Sequence, residues 1–186
     1  SYDTTWSEIN VSCQSCHGPG QRHVAWATKT ASTGGGGKGA GDDADLGLEP
    51  DFRRLDAHAE VEVCAPCHAR RSELTAAPVA GRPLMDDFRP TLLDAGLYFP
   101  DGQQQDEVYI YGSFRQSRMY EKGVRCTDCH DPHTAKLKAE GNAICTQCHQ
   151  PGGNTRFPTL PSKTYDDPAH HFHPEGSAGA QCVSCH

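Results

Sequence analysis

The chain has 186 residues and a formal net charge of −7. Leu, Ile, Val and Phe contribute 27 of the 186 residues, about 15% and below the roughly 20% expected of a chain with its own apolar core. This composition excludes an ordinary globular domain that folds on side chains alone. The anionic balance argues against a nucleic-acid partner, and no apolar run is long enough to span a bilayer.

All ten cysteines fall in five C-x-x-C-H motifs, which occupy residues 13–17, 64–68, 126–130, 145–149 and 182–186. This pattern is the attachment signature of a c-type haem, in which two cysteine sulfurs bond to the porphyrin and the adjacent histidine coordinates the iron. The sequence therefore predicts five haem c groups with their iron. The predicted attachment residues are Cys13, Cys16, Cys64, Cys67, Cys126, Cys129, Cys145, Cys148, Cys182 and Cys185. The predicted proximal iron ligands are His17, His68, His130, His149 and His186.

Two other cysteine architectures explain this spacing less well. A disulfide scaffold also uses an even number of cysteines, but it does not require a histidine after every second one. Zinc ribbons use C-x-x-C pairs, yet a pairwise scheme needs an even number of units and leaves the histidines unexplained. Bound haems would also supply the apolar surface that the side chains lack.

The first 51 residues contain a turn, a helix and a loop. Gly18 and the two residues after it predict a tight turn, followed by a short helix that carries His23 and Trp26. Residues 31–51 are predicted to form a glycine-rich insertion loop. A phosphate-binding loop is the poorer interpretation, because Lys38 is followed by Gly39 and not by Ser or Thr.

Residues 52–75 are predicted to be helical before and after the second motif, with Pro66 in the attachment loop. Arg70 and Arg71 are either solvated or paired with haem propionates. Prolines at 78, 83, 90 and 100 predict irregular structure at the start of the stretch 76–125. Residues 108–119 are expected to form a short strand or helix.

Residues 126–186 contain the closest motifs, whose first cysteines are 19 residues apart. This spacing predicts two neighbouring haems, and residues 154–174 are expected to be irregular. The separations between successive motifs follow no fixed period, so the sequence does not predict a solenoid. The chain stops at a motif histidine, which suggests a piece of a longer polypeptide.

Six of the eleven histidines lie outside the motifs, and five irons need a second axial ligand. The predicted second ligands are His23, His58, His133, His170 and His173. His133 follows His130 too closely to reach the far face of the same haem, so it is expected to bind a neighbouring one. His171 remains an alternative within the H-H-F-H run, and Met119 either binds an iron or packs on a ring.

Three segments resemble the multihaem cytochromes c with paired C-x-x-C-H motifs. They read C-Q-S-C-H-G-P-G-Q-R-H at 13–23, Y-G-S-F-R-Q-S-R-M-Y-E-K-G-V-R-C-T-D-C-H-D-P-H-T at 111–134, and H-H-F-H-P-E-G-S-A-G-A-Q-C-V-S-C-H at 170–186. The resemblance implies haem packing similar to pentahaem nitrite reductases and hydroxylamine oxidoreductase-type proteins, with low-potential bis-histidine haems in stacked and perpendicular pairs. Similar segments precede tetratricopeptide repeats in longer proteins, and the group includes extracellular cytochrome filaments. The C-x-x-C-K motif of the nitrite reductases is absent from this sequence.

The expected fold class is therefore a multihaem cytochrome c, mostly irregular, with short α-helices packed on a chain of haems and little or no β structure. A single pentahaem domain over 1–186 is expected. The expected function is electron transfer in the periplasm or outside the cell. Other redox proteins, sister subunits of a homopolymer or extracellular metal oxides are the expected partners. The alternative is a multihaem reductase of small nitrogen or sulfur oxyanions with one open haem, and the sequence favours the electron carrier over this enzyme.

Overall fold

The computed structural model describes residues 3–6, 10–32 and 45–186. Most of the glycine-rich stretch predicted as an insertion, residues 33–44, therefore lies outside the described residues. The chain divides into two compact units, Ser1–Arg125 and Cys126–His186. The expectation of one domain over the whole chain stays a prediction.

The first unit contains six helices and one two-stranded antiparallel sheet in its described part. The helices are α1 (Cys13–His17), α2 (Gln21–Ser32), α3 (Ala57–His68), α4 (Leu84–Asp87), α5 (Ile110–Arg115) and α6 (Arg118–Glu121), and the strands are β1 (Arg71–Glu73) and β2 (Phe88–Pro90). Helix α2 carries His23 and Trp26, which confirms the helix predicted after the first motif. Residues 108–119 are helical and not a strand, since α5 and the start of α6 fall within them.

The core of the first unit forms around α3. Asp56 begins this helix, because its carboxylate accepts a hydrogen bond from the Ala59 N–H at 2.8 Å. Val61, Val63 and Ala65 are buried on α3, and the helix runs through the second motif with Pro66 inside it. The other buried apolar side chains of this unit are Ala69, Leu84, Phe88, Tyr98, Val108 and Tyr111.

The prediction of helix after the second motif is wrong, because the chain forms strand β1 there. Arg71 pairs with Pro90 and Glu73 pairs with Phe88 in the sheet. The Arg71 guanidinium also lies 4.3 Å from the centre of the Phe88 ring. These partners are 15 or more residues away along the chain, so the local sequence could not indicate the strand.

The prediction of irregular structure among the prolines is also wrong in part, since α4 and β2 lie there. Pro83 stands at the N-cap of α4, where no backbone N–H is needed, and Pro90 is the last residue of β2. Buried Asp87 closes the segment by accepting hydrogen bonds from Thr75, the Val79 N–H and Arg82.

The second unit contains three short helices and one short hairpin. The helices are α7 (Cys126–Cys129), α8 (Ala143–Thr146) and α9 (Pro168–His171), the strands are β3 (His130–Asp131) and β4 (Lys136–Leu137), and 3-10 turns occupy Ala178–Ala180 and Cys182–Ser184. Helix α9 corrects the prediction of irregular structure over 154–174. It forms because Asp167 caps it and Pro168 occupies its first turn.

The expected fold class is confirmed at the level of secondary structure, which is mostly irregular with short helices and little sheet. Ala180 is the single buried apolar side chain of Cys126–His186, all of which the structure describes. Among the described residues, no helix has the length and hydropathy that a bilayer crossing requires.

We expect Tyr111→Phe to destabilise the first unit by about 1–3 kcal/mol, because it removes a partly buried hydroxyl that is hydrogen-bonded to both Glu62 and Arg115. The Tyr111 hydroxyl donates to Glu62 at 2.8 Å and accepts from Arg115 at 3.2 Å. Urea denaturation of the haem-loaded protein, followed by circular dichroism, measures the change. The control is Tyr109→Phe, whose side chain is 47% exposed and should alter stability by at most about 0.5 kcal/mol. Equal effects of the two variants would contradict the network.

We expect Asp51→Asn to weaken the protein most at neutral pH. Hydrogen bonds from the Arg53 side chain lower the pKa of Asp51 from 3.8 to about 2. Because this pKa is below its value of about 3.9 in the unfolded chain, the stabilisation is complete above that value and is lost as the pH falls through about 2. Urea denaturation at several pH values should show wild type and variant converging in acid. An Asp3→Asn control, in an exposed position, should show no such convergence.

Candidate haem-binding sites

None of the ten cysteines is buried, and all of them lie in the described part of the chain. Cys13, Cys67 and Cys185 are exposed, and the other seven are half-buried. Cysteine is normally among the most buried residue types. Ten cysteines that are at least partly exposed fit attachment to a group that the protein does not itself supply, as the haem vinyl carbons would require.

The first and second motifs lie close together in the first unit. Burial raises the pKa of the Cys16 thiol, and the neighbouring thiols of Cys67 and Cys13 raise it further. Cys67 belongs to the second motif, 51 residues further along the chain. The fold therefore brings the attachment points of these two motifs into each other's electrostatic range.

The third and fourth motifs are joined by Gln147 of the fourth motif, and Arg156 contacts the third motif from outside both. Gln147 of the fourth motif donates to the Asp128 carbonyl at 3.3 Å, and its amide also lies 3.9 Å from the Cys129 sulfur. Arg156 forms an ion pair with the Asp128 carboxylate. Burial, followed by the charges of Asp128 and Cys148, raises the pKa of Cys129. These contacts place the third and fourth motifs side by side.

The fourth and fifth motifs are joined by Asn142, which precedes the fourth motif. Its amide nitrogen donates to Asp166 at 2.7 Å and to the Ala180 carbonyl at 2.9 Å, and its oxygen accepts from the Cys182 N–H at 2.9 Å. Burial and the nearby Cys182 thiol raise the pKa of Cys145. The fourth motif is thus the middle one of three motifs in this unit.

The His23 ring is held by a backbone carbonyl through its Nδ1. Its Nδ1 lies 2.8 Å from the Leu46 carbonyl oxygen. A carbonyl only accepts, so the ring proton lies on Nδ1 and Nε2 keeps its lone pair for a metal. Ligating histidines commonly donate their other N–H to a backbone carbonyl in this way. The residues present therefore fit His23 as an axial ligand.

The rings of His170 and His186 are parallel and lie near each other. Their ring centres are 6.3 Å apart and their planes differ by 1°. A shared iron separates two such ring centres by about 6 Å, since each metal–nitrogen bond is about 2 Å and each ring adds its own radius. His186 is the predicted proximal residue of the fifth motif, so His170 would be available as a second ligand of the fifth haem when it is bound.

His171 and His173 differ in what their rings contact. The Nδ1 of His171 lies 3.2 Å from the His173 N–H and accepts its hydrogen bond. In the neutral ring this places the proton on Nε2, which favours His170 and His173 as ligands over His171. The His173 ring packs on Gly179, where an added Cβ would lie 2.6 Å from the imidazole.

Two other predicted ligands are not brought to a second histidine in the described structure. His58 lies at the start of α3, and its Nε2 is 3.1 Å from the Tyr120 carbonyl, with the two rings stacked at 4.4 Å. The Nε2 of His58 therefore donates in this arrangement, and binding iron would require Nδ1 or loss of the bond. His133 lies in the turn between β3 and β4 with its side chain 81% exposed. Like His23, His170 and His173, both remain predictions as ligands.

The remaining candidates have protein partners or lie at the surface. His68 and His130 are exposed, His17 and His149 are half-buried, and Met119 is 48% exposed. Arg70 bonds Asp106 at 3.2 Å, and Arg71 bonds the Pro66 carbonyl at 2.8 Å. These bonds give both arginines a structural role and leave the pairing with propionates as a prediction.

Three residues with a role at the sites were not found from the sequence. Asn142 and Gln147 join neighbouring motifs, and Leu46 orients His23 through its backbone carbonyl. Gln147 lies inside the fourth motif and Asn142 shortly before it. This proximity is the only signal that the sequence carries for the two residues. A backbone carbonyl has no sequence signal at all.

The surroundings of the motifs also fit a large apolar group better than a bare metal ion. Phe172 is 84% exposed and Val183, inside the fifth motif, is 80% exposed. No group of three or more His, Cys, Asp or Glu side chains among the described residues converges as a metal site. The exposed apolar side chains favour haem over the zinc alternative.

The family model described as "Doubled CXXCH motif" matches residues 119–154. This stretch contains the third and fourth motifs, and the match supports a multihaem c-type cytochrome-like protein. It supports covalent haem c binding and electron transfer. No curated protein and no solved structure matches the chain.

We expect Asn142→Ala to loosen the fifth motif from the fourth, because three hydrogen bonds of about 1 kcal/mol each are lost. Hydrogen exchange of the haem-loaded protein should be faster at residues 178–186 and unchanged in α3. The matched control is Gln150→Ala, an exposed residue of the same unit, which should alter neither region. Unchanged exchange at 178–186 in Asn142→Ala would show that Asn142 does not hold the two motifs together.

Proposed function

We propose that the chain binds five haem c groups, one at each C-x-x-C-H motif, and serves as an electron conduit in the periplasm or outside the cell. The observation that carries the proposal is the contact between motifs that are far apart in sequence. Cys16 lies within electrostatic range of Cys67 in the first unit, and Asn142, just before the fourth motif, accepts a hydrogen bond from the Cys182 N–H of the fifth motif in the second. Porphyrins attached at neighbouring sulfurs lie close enough to exchange electrons, whereas a single catalytic haem needs no such series.

The protein's own residues would set the order and the environment of the haems. When bound, each haem supplies one-electron Fe(III)/Fe(II) chemistry. Asn142 and Gln147 hold the fourth motif between the other two of its unit. His23, held by the Leu46 carbonyl, and His170, opposite His186, would close iron faces that an oxyanion reductase would leave open.

The finer parts of the proposal concern location and assembly. Haem attachment of this kind takes place outside the cytoplasmic membrane, which supports a periplasmic or extracellular site. The resemblance to filament-forming cytochromes supports a homopolymer in which sister subunits exchange electrons. Other redox proteins or extracellular metal oxides would be the terminal partners. Negative-stain microscopy of the haem-loaded protein tests assembly, and monomers alone at high concentration would contradict it.

The first test is the haem content and spin state of the intact chain. We expect intact-protein mass and the pyridine haemochrome assay to give five haems, and the ferric spectrum to be low-spin throughout. Fewer than five haems in fully matured protein would overturn the proposed number. A high-spin band that shifts on addition of nitrite or cyanide would favour the reductase.

A second test compares removal of a middle haem with removal of a terminal one. Cys145→Ala combined with Cys148→Ala should remove the fourth haem and leave the third and fifth haems without redox interaction with each other. Potentiometric titration followed by electron paramagnetic resonance (EPR) measures this interaction as the shift of one haem's potential when its neighbour is reduced.

The matched control for that test is Cys182→Ala combined with Cys185→Ala, which removes the terminal fifth haem. It should preserve the interaction of the third and fourth haems, because Gln147, Asp128 and Arg156 remain. Loss of that interaction in the control as well would contradict the assignment of the fourth motif to the middle.

A further inference from the structure

Tyr165 lies between histidines of two different haem sites. Its ring centre is 5.7 Å from that of His149 with an interplanar angle of 87°, and 5.2 Å from that of His170 with an angle of 89°. His149 is the proximal residue of the fourth motif, and His170 faces His186 of the fifth. One aromatic side chain thus makes edge contacts with imidazoles assigned to neighbouring haems.

The backbone between Tyr165 and His170 is anchored, which holds the two residues in this arrangement. The next residue, Asp166, accepts the 2.7 Å hydrogen bond from Asn142. Asp167 caps α9 through the Ala169 N–H at 2.8 Å, and the His170 N–H bonds the Asp167 carbonyl at 2.8 Å. Lys163 also lies 5.7 Å from the centre of the Tyr165 ring.

A perpendicular aromatic neighbour restricts the rotation of an imidazole about its metal–nitrogen bond. An edge-to-face pair is worth about 0.5–1.5 kcal/mol beyond its buried area, and turning the imidazole would bring its edge against the tyrosine ring. The angle between two axial imidazole planes determines how strongly the iron d orbitals split. Parallel planes give a rhombic low-spin ferric EPR spectrum, and perpendicular planes give a spectrum with a much larger highest g value.

We propose that Tyr165 is a positioning residue that holds His170 parallel to His186 and packs at the same time against His149. This inference rests on the proposed haem binding and adds a device that couples the ligand geometry of the fourth and fifth haems. The ring of Tyr165, and not its hydroxyl, performs this role, because both contacts are ring contacts.

The test compares Tyr165→Leu, which removes the ring, with Tyr165→Phe, which keeps it. EPR spectra are recorded on fully oxidised, haem-loaded protein whose haem content and circular dichroism match wild type. The signal of the fifth haem is assigned by its loss in Cys182→Ala/Cys185→Ala, and that of the fourth by its loss in Cys145→Ala/Cys148→Ala. Phe157→Leu, which also replaces a half-buried aromatic ring of this unit, is the control.

We expect the fifth haem of wild type to give a rhombic signal that moves to a larger highest g value in Tyr165→Leu and stays in place in Tyr165→Phe and Phe157→Leu. The fourth-haem signal should also shift or broaden in Tyr165→Leu. No shift in Tyr165→Leu would overturn the inference.

A wild-type fifth haem with perpendicular-type signals would overturn it too, even if Tyr165→Leu does not mature. Either result with five haems present would leave the proposed function intact. Absence of haem from the fourth or fifth motif of wild type would instead refute the haem binding on which both proposals rest.

Discussion

The second unit needs an apolar interior, and its side chains do not supply one. Ala180 is the single buried apolar residue of Cys126–His186, although this unit carries three of the five motifs. A domain of about 60 residues is marginal even with an ordinary core. Covalent porphyrins would provide large apolar surfaces at fixed points of the chain, and exposed Phe172 and Val183 are suited to pack on them. The first unit differs, because α3 already buries Val61, Val63 and Ala65.

With little apolar packing available, polar contacts set the order of the motifs. Gln147, inside the fourth motif, bonds the third motif. Asn142, just before the fourth motif, bonds the fifth. Each contact uses backbone atoms of the neighbouring motif, so it fixes the position of that motif and not only of a side chain. Electron transfer between haems depends steeply on their separation. The same hydrogen bonds that maintain the fold would therefore maintain the conduction path.

The sequence was most informative where chemistry imposes a fixed spacing. The C-x-x-C-H motifs, helix α2 with His23, and the helix before the second motif were all predictable. Strand β1 was not, because its partner β2 lies beyond a stretch of prolines. The pairing of His170 with His186 could not be derived either. The run H-H-F-H offers three imidazoles that the sequence cannot tell apart. The hydrogen bond from the His173 N–H to His171 and the parallel ring of His186 beside His170 distinguish them, and both are three-dimensional features.

Hydrogen exchange of the haem-loaded protein and of a haem-free chain with all ten cysteines changed to Ala tests most directly whether haem replaces the core. We predict that amides of α8 and of residues 178–186 are protected only when haem is attached. Amides of α3, which has its own buried residues, should keep part of their protection in both proteins. Equal protection of α8 with and without haem would show that Cys126–His186 folds on its side chains, and would contradict this explanation.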